Sequence, residues 1–187
     1  MPVSRAATPE PPHQLGLVID FVNTAELETG ADELASAHDL GIWLAGNDLL
    51  DPGGAAIRES QLQQAIRLRE ALRALMLGHN GAAPDPGAAA ELEQVARRGK
   101  LTVHFASDGS SHLAADAHGF ARSLALLLIP VIESGADGSW DRVKACRAED
   151  CYWAFYDQSR NRSGVWCEMA ACGNRAKVRA YRSRKPD

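Results

Sequence analysis

Cys146-Arg-Ala-Glu-Asp-Cys151 and Cys167-Glu-Met-Ala-Ala-Cys172 hold every cysteine of the chain, within its last 42 residues. The spacing is C-x4-C-x15-C-x4-C, two knuckles of equal width joined by a short excursion. Tetrahedral zinc takes four soft ligands from two local pairs, each pair turning tightly enough to aim both sulfurs at one point. Two disulfides are the other use of four cysteines, but a reducing compartment keeps thiols free and favours the metal. Four thiolates also close the coordination shell, whereas catalytic zinc keeps an open position. The expectation is therefore one structural zinc ion on Cys146, Cys151, Cys167 and Cys172.

Between the knuckles, Tyr152-Trp-Ala-Phe-Tyr-Asp157 reads as an aromatic strand that packs over the metal. Two basic elements flank the second knuckle. Ser159-Arg-Asn-Arg-Ser-Gly164 is turn-like, and Gly173-Asn-Arg-Ala-Lys-Val-Arg-Ala-Tyr-Arg-Ser-Arg-Lys185 favours a helix that Asn174 caps and Pro186 ends. From Ser159 to Lys185 there are eight Lys and Arg and one acidic residue, so the segment is built to meet anions. Arg160, Arg162, Arg175, Lys177, Arg179, Arg182, Arg184 and Lys185 are the candidate nucleic-acid contacts, and most of those contacts are expected to be to phosphate. Arg175, Arg179 and Arg182 share one ridge of the helix. The net charge of −4 conceals this division. Residues 1–140 carry 9 Lys and Arg against 18 Asp and Glu, while residues 141–187 carry 11 against 6.

The stretch 146–185, with Ser159-Arg-Asn-Arg-Ser163, Trp166-Cys-Glu-Met169 and Cys172-Gly-Asn-Arg-Ala-Lys177, resembles the CGNR zinc finger. Leu17-Val-Ile-Asp-Phe-Val-Asn-Thr24 and Asp39-Leu-Gly-Ile-Trp-Leu44 resemble the domain that usually precedes it, the ABATE domain. The resemblance implies a bacterial, stress-induced transcription regulator whose zinc-binding end contacts DNA, with the four cysteines as ligands. The first knuckle, Cys-Arg-Ala-Glu-Asp-Cys, is more acidic than the family pattern, which points DNA contact away from it. In Gly173-Asn174-Arg175, the glycine permits a tight turn and the asparagine a cap.

The preceding sequence reads as an α+β body, mostly helical, with one β-hairpin. The finger that follows is a small treble-like module of four cysteine ligands with a C-terminal basic helix. Gly16 to Asn23 is either a strand or the start of a buried helix. His38 to Ala45 is a short helix. Ser60 to Gly78 is the clearest helix, with Leu62, Ile66, Leu68, Leu72, Leu75 and Met76 inward and Arg67, Arg69, Glu70 and Arg73 largely outward. Gly78 to Gly87 is a loop and Pro86 to Gly99 a further helix. Leu101 to Phe105 and His112 to Ala117 pair across a turn at residues 107–110. Pro130 kinks or shortens the helix from His118 to Glu133. Gly135 to Ser139 is a hinge. The domain reading is a flexible N-terminus over 1–13, a body over 14–138 and the finger over 139–187.

No run approaches the ~20 apolar residues needed to cross a bilayer, and the N-terminal residues lack a signal-peptide core. The chain is expected to be cytoplasmic and not membrane-bound. No phosphate loop, nucleophile elbow or HExxH pair stands out, so it is not expected to be an enzyme. His104 and His112 are placed to approach each other across the hairpin, and are read as surface or packing features in preference to a second metal site. Asp20, Asn23 and Thr24 form a polar cluster that either caps the first element or lines a small-molecule effector pocket. The expected partner is DNA, with the body sensing an effector or pairing two copies of the chain. The alternatives are a zinc-stabilised module recognising an acidic protein, and an RNA-binding protein.

Overall fold

The computed structural model describes residues 11–51, 53 and 55–183. Leu15–Asn23 forms the first helix, α1, because Leu15, Val18, Phe21 and Val22 all turn inward at helical spacing. That decides the strand-or-helix question. A small ladder follows, in which β1 (Ala25–Glu26) pairs antiparallel with β2 (Ala31–Asp32). The next helix, α2 (Ala37–Gly46), starts at Ser36, whose hydroxyl accepts from the Asp39 amide. Leu40 and Leu44 are buried on it, and Trp43 lies 5.2 Å from the Phe21 ring.

The longest helix, α3 (Glu59–His79), runs beside α4 (Pro86–Arg98), which begins with a proline at a position that needs no amide donor and is capped by Asp85. The hairpin is β3 (Leu101–Phe105) against β4 (Ser111–Ala115), with Leu101 opposite Ala115 and His104 opposite His112. Pro130 acts as anticipated. The apolar stretch divides into α5 (Phe120–Leu126) and α6 (Ile129–Asp137), with the proline in the first turn of the second. A 3₁₀ turn at Trp140–Arg142 leads into β5 (Val143–Ala145), which pairs with β6 (Ala154–Tyr156). A π turn at Met169–Gly173 continues directly into α7 (Asn174–Ser183).

One apolar core joins body and finger. Phe21, Leu44, Leu68, Leu72, Met76 and Leu127 pack in the same cluster as Trp140, Val143, Ala145 and Ala154. The 135–139 segment, expected to be a hinge, forms a defined corner, with Gly135 to Asp137 exposed and Ser139 buried. The last turn of α6 occupies it as far as Asp137, the Ser139 hydroxyl donates to the Ser134 carbonyl, and Trp140 meets His79 edge to face at 5.2 Å. Residues 1–10 of the proposed flexible N-terminus lie outside the described residues, while His13 reaches Asp137 at 2.7 Å.

Two outward assignments on α3 are corrected. Arg67 and Glu70 are exposed, but Arg69 and Arg73 are only 4% and 3% accessible. Their guanidiniums are buried because every nitrogen of each finds an acceptor there. Arg69 makes a two-point pair with Asp32 at 2.7 and 2.8 Å and donates to the Thr24 hydroxyl. Arg73 donates to the Val22 and Tyr152 carbonyls and to Glu70.

Candidate metal centre and nucleic-acid interface

Cys146 follows β5 directly, and the first knuckle closes through amides of Cys151 and Tyr152 donating to the Ala148 carbonyl. The second knuckle closes where the Gly173 amide donates to the Glu168 carbonyl. Cys146, Cys151 and Cys172 are buried and Cys167 half-buried, under Trp153 and Trp166. The four sulfurs all lie within 4.8 Å of one another. Cys151 and Cys167 are 3.6 Å apart, and Cys167 and Cys172 are 3.7 Å apart. A tetrahedron with Zn–S bonds of about 2.3 Å has edges of about 3.8 Å, whereas a disulfide brings sulfurs to about 2 Å. All four cysteines are free thiols. Hydrogen bonds from Cys151 and Cys167 bring the Cys146 thiol down. Contacts with Cys146 and Cys151 push Cys167 up. Such a cluster becomes fully thiolate only around a cation, and the donor set and spacing fit one structural zinc ion.

The body holds this module by its backbone. Asn23 makes a reciprocal pair with Ala154, donating to its carbonyl at 3.0 Å and accepting from its amide at 2.8 Å. Arg73 reaches the Tyr152 carbonyl at 2.9 Å, and His79 lies 2.8 Å from the Val143 carbonyl. Asn80 donates to the carbonyls of Ala145 and Val165, both at 2.8 Å. Backbone groups leading into and out of the first knuckle are thereby fixed from α1 and the end of α3.

A buried ion pair shapes the turn carrying Arg160 and Arg162. Lys144 meets Asp157 at 2.7 Å and also donates to the Arg162 and Gly164 carbonyls. Asp157 accepts from the amides of Ser159 and Gly164. Burial opposes the charge on Asp157, but the hydrogen bonds from Lys144, Ser159 and Gly164 outweigh it and bring its carboxyl down to about 2. Gly164 is required by the close approach, since a Cβ there would stand 2.6 Å from an Asp157 oxygen. The turn holds both arginine side chains exposed at its surface. Sequence reading missed Lys144 and Asp157. The available signal was an aspartate two residues before a serine, the pattern of an Asx turn.

The basic helix differs in detail from expectation. Asn174 does not cap it. The π turn is already helical, and the Asn174 side-chain amide donates to the Ala170 carbonyl at 2.9 Å. Gly173 serves packing and not a left-handed turn, because a Cβ there would meet Met169 and Trp166 at 2.4 and 3.1 Å. α7 packs on the module through its first turn and projects beyond it. Arg175 and Ala176 are half-buried, whereas Lys177 to Ser183 are all exposed, including Val178 and Tyr181. Arg175 donates to Glu28 and, at 3.1 Å, to the Cys172 sulfur. Arg179 donates to Asp150 at 3.2 Å. Arg160, Lys177 and Arg182 are exposed. Arg184 and Lys185 lie outside the described residues.

The residues of the proposed polar cluster go to different partners. Asn23 is committed to Ala154, and Thr24 donates to Phe21 while accepting from Arg69. Asp20 remains at the surface, its carboxyl pushed up by partial desolvation. A cavity of about 180 Å³ lies elsewhere, among Asp51, Ile57, Arg58, Gln61 and Phe120. His104 and His112 do face each other, with ring centres 5.6 Å apart, and His104 turns to Asp116 at 2.9 Å. Among the described residues, the four cysteines form the one group of three or more such side chains placed to share a metal ion.

These features define a four-cysteine zinc-finger protein whose finger is packed into a helical body and carries a projecting basic helix. The CGNR zinc finger model matches residues 142–185, and the ABATE model, described as a putative stress-induced transcription regulator, matches residues 15–137. The chain belongs to the ABATE family and ends in a CGNR zinc finger. No curated protein matches it. No helix among the described residues is long and apolar enough to cross a membrane.

Proposed function

We propose that this chain is a cytoplasmic transcription regulator that acts by binding DNA and not by catalysis, using the 159–164 turn and α7. The observation that carries the reading is α7 itself, a helix without an acidic residue whose last seven described residues stand clear of the body. A helix so charged is stable in isolation only where water or anions surround it, and arginine forks suit phosphate oxygens and guanine edges. The rigid turn adds Arg160 and Arg162 as backbone contacts. The zinc site sets where α7 leaves the fold. The body, in this reading, senses a ligand or pairs two copies so that two fingers meet two half-sites.

Selection of bound sequences from a random duplex DNA pool, with and without chelator and with an RNA pool in parallel, tests this. Enrichment of DNA sequences that chelation abolishes is the expected result. Each phosphate contact should add about 0.9 to the slope of log affinity against log salt, so Arg182→Ala should lower that slope by nearly one. Enrichment from the RNA pool alone, or no binding with zinc present, would sink the DNA reading.

A further inference from the structure

Two of the three arginines on the α7 ridge are already paired with carboxylates. Glu28, in the turn between β1 and β2 of the body, takes both terminal nitrogens of Arg175, the second at 3.4 Å. Asp150, in the first knuckle, takes Arg179 at 3.2 and 3.3 Å through its two oxygens. Arg175 and Arg179 are four residues apart and so share a helix face. A carboxylate presents two oxygens to a guanidinium much as a phosphodiester does, and both use the same N–H groups. Arg182, the third member of the ridge, has no ion-pair partner among the described residues.

We propose that Glu28 and Asp150 act as internal phosphate mimics, competing with nucleic-acid phosphates for Arg175 and Arg179 and so holding the affinity of α7 down. The inference rests on the nucleic-acid reading above and adds its regulation. Both pairs are partly exposed: the side chains of Arg175 and Glu28 are 34% and 36% accessible, those of Arg179 and Asp150 55% and 48%. Ion pairs this open are weak, so they compete with a polyanion without locking the helix shut. Glu28 gives the competition a direction. It belongs to the body, in the turn of the ladder that ends at Asp32, and Asp32 is clamped by Arg69. The Glu28–Arg175 pair therefore ties the affinity of α7 to the placement of the β1–β2 turn in the body.

The test is fluorescence anisotropy of a labelled random-sequence 20-base-pair duplex with the zinc-loaded full chain. Wild type is compared with Glu28→Gln, Asp150→Asn and the double variant. Each single change should tighten binding about threefold and the pair roughly tenfold, the range that exposed ion pairs allow. Glu59→Gln removes the same charge at the start of α3, roughly 30 Å along that helix from the end that meets the finger. It lies beyond the Debye length of about 8 Å and should change affinity little. Equal zinc content and thermal midpoint across the set would show that the fold is intact. If wild type binds and the double variant binds no better, or no better than Glu59→Gln, the mimicry is overturned while DNA binding stands. If no protein in the set binds duplex, both readings fall. Binding by the double variant alone supports both.

Discussion

Replacing Arg73 by methionine should destabilise body and finger together. The guanidinium donates to the Val22 carbonyl at 2.7 Å, the Tyr152 carbonyl at 2.9 Å and Glu70 at 2.9 Å, with the side chain 4% accessible. Methionine fills most of the same volume, so the loss is mainly of hydrogen bonds and not of packing. A hydrogen bond from a charged donor is worth about 1.5–3 kcal/mol, and a carbonyl left without a partner in the interior costs about 1–3 kcal/mol. Glu70 keeps Arg69, at 2.9 Å, so its share of the loss is small. Two stranded carbonyls give about 3–5 kcal/mol, a large part of the 5–15 kcal/mol available to a domain. Urea unfolding followed by tryptophan fluorescence would measure this, with zinc release to a chromogenic chelator recorded in the same titration. Both transitions should move to lower urea together, because the Tyr152 contact lies beside the first knuckle. Arg67→Met, on the exposed face of the same helix, is the reference and should cost less than about 0.5 kcal/mol. Equal costs for the two variants would refute the clamp, as would a stability loss that left zinc retention untouched.

Chelation should lower the thermal midpoint of the whole chain by roughly 10 °C or more in a single transition, since Val143, Ala145 and Ala154 share the core of α1 and α3; circular dichroism at helical wavelengths reads it, and two separate transitions would contradict it. Asp157→Asn should cost about 3–5 kcal/mol at pH 7 by leaving Lys144 buried without its partner. The sign with pH follows from a folded value of about 2 against the ordinary 3.8. The stabilisation is fully present above the unfolded value and is lost as pH falls through about 2, so the gap between wild type and variant should close with acid in urea titrations. Gly164→Ala should cost about 1–3 kcal/mol, because its Cβ would press on a carboxylate that Lys144 and two amides hold still. That variant should also weaken DNA binding by displacing Arg160 and Arg162, which the same anisotropy assay measures.

The zinc ligands were legible without the fold because both knuckles are local. Four cysteines in two equal pairs have one good use in a reducing compartment, and no distant residue changes it. Helix periodicity, the hairpin and the break at Pro130 were legible for the same reason. Arg69 and Arg73 were within reach of the pattern as well. On a 3.6-residue period they fall inside the apolar arc that runs from Leu68 and Leu72 through Met76 and Leu62 to Ile66. Charge argued for the outside, and only partners remote in sequence reverse that argument. Asp32 is 37 residues from Arg69, and Tyr152 is 79 from Arg73. The same distance hid the joining of finger to body, which depends on Asn23, His79 and Asn80 meeting backbone groups 64 to 131 residues away. By itself the sequence determined the metal, its four ligands and the basic character of the last helix. Tertiary structure alone decided which arginines of that helix face solvent and which meet carboxylates, because burial and charge pairing are settled by what the folded chain brings alongside.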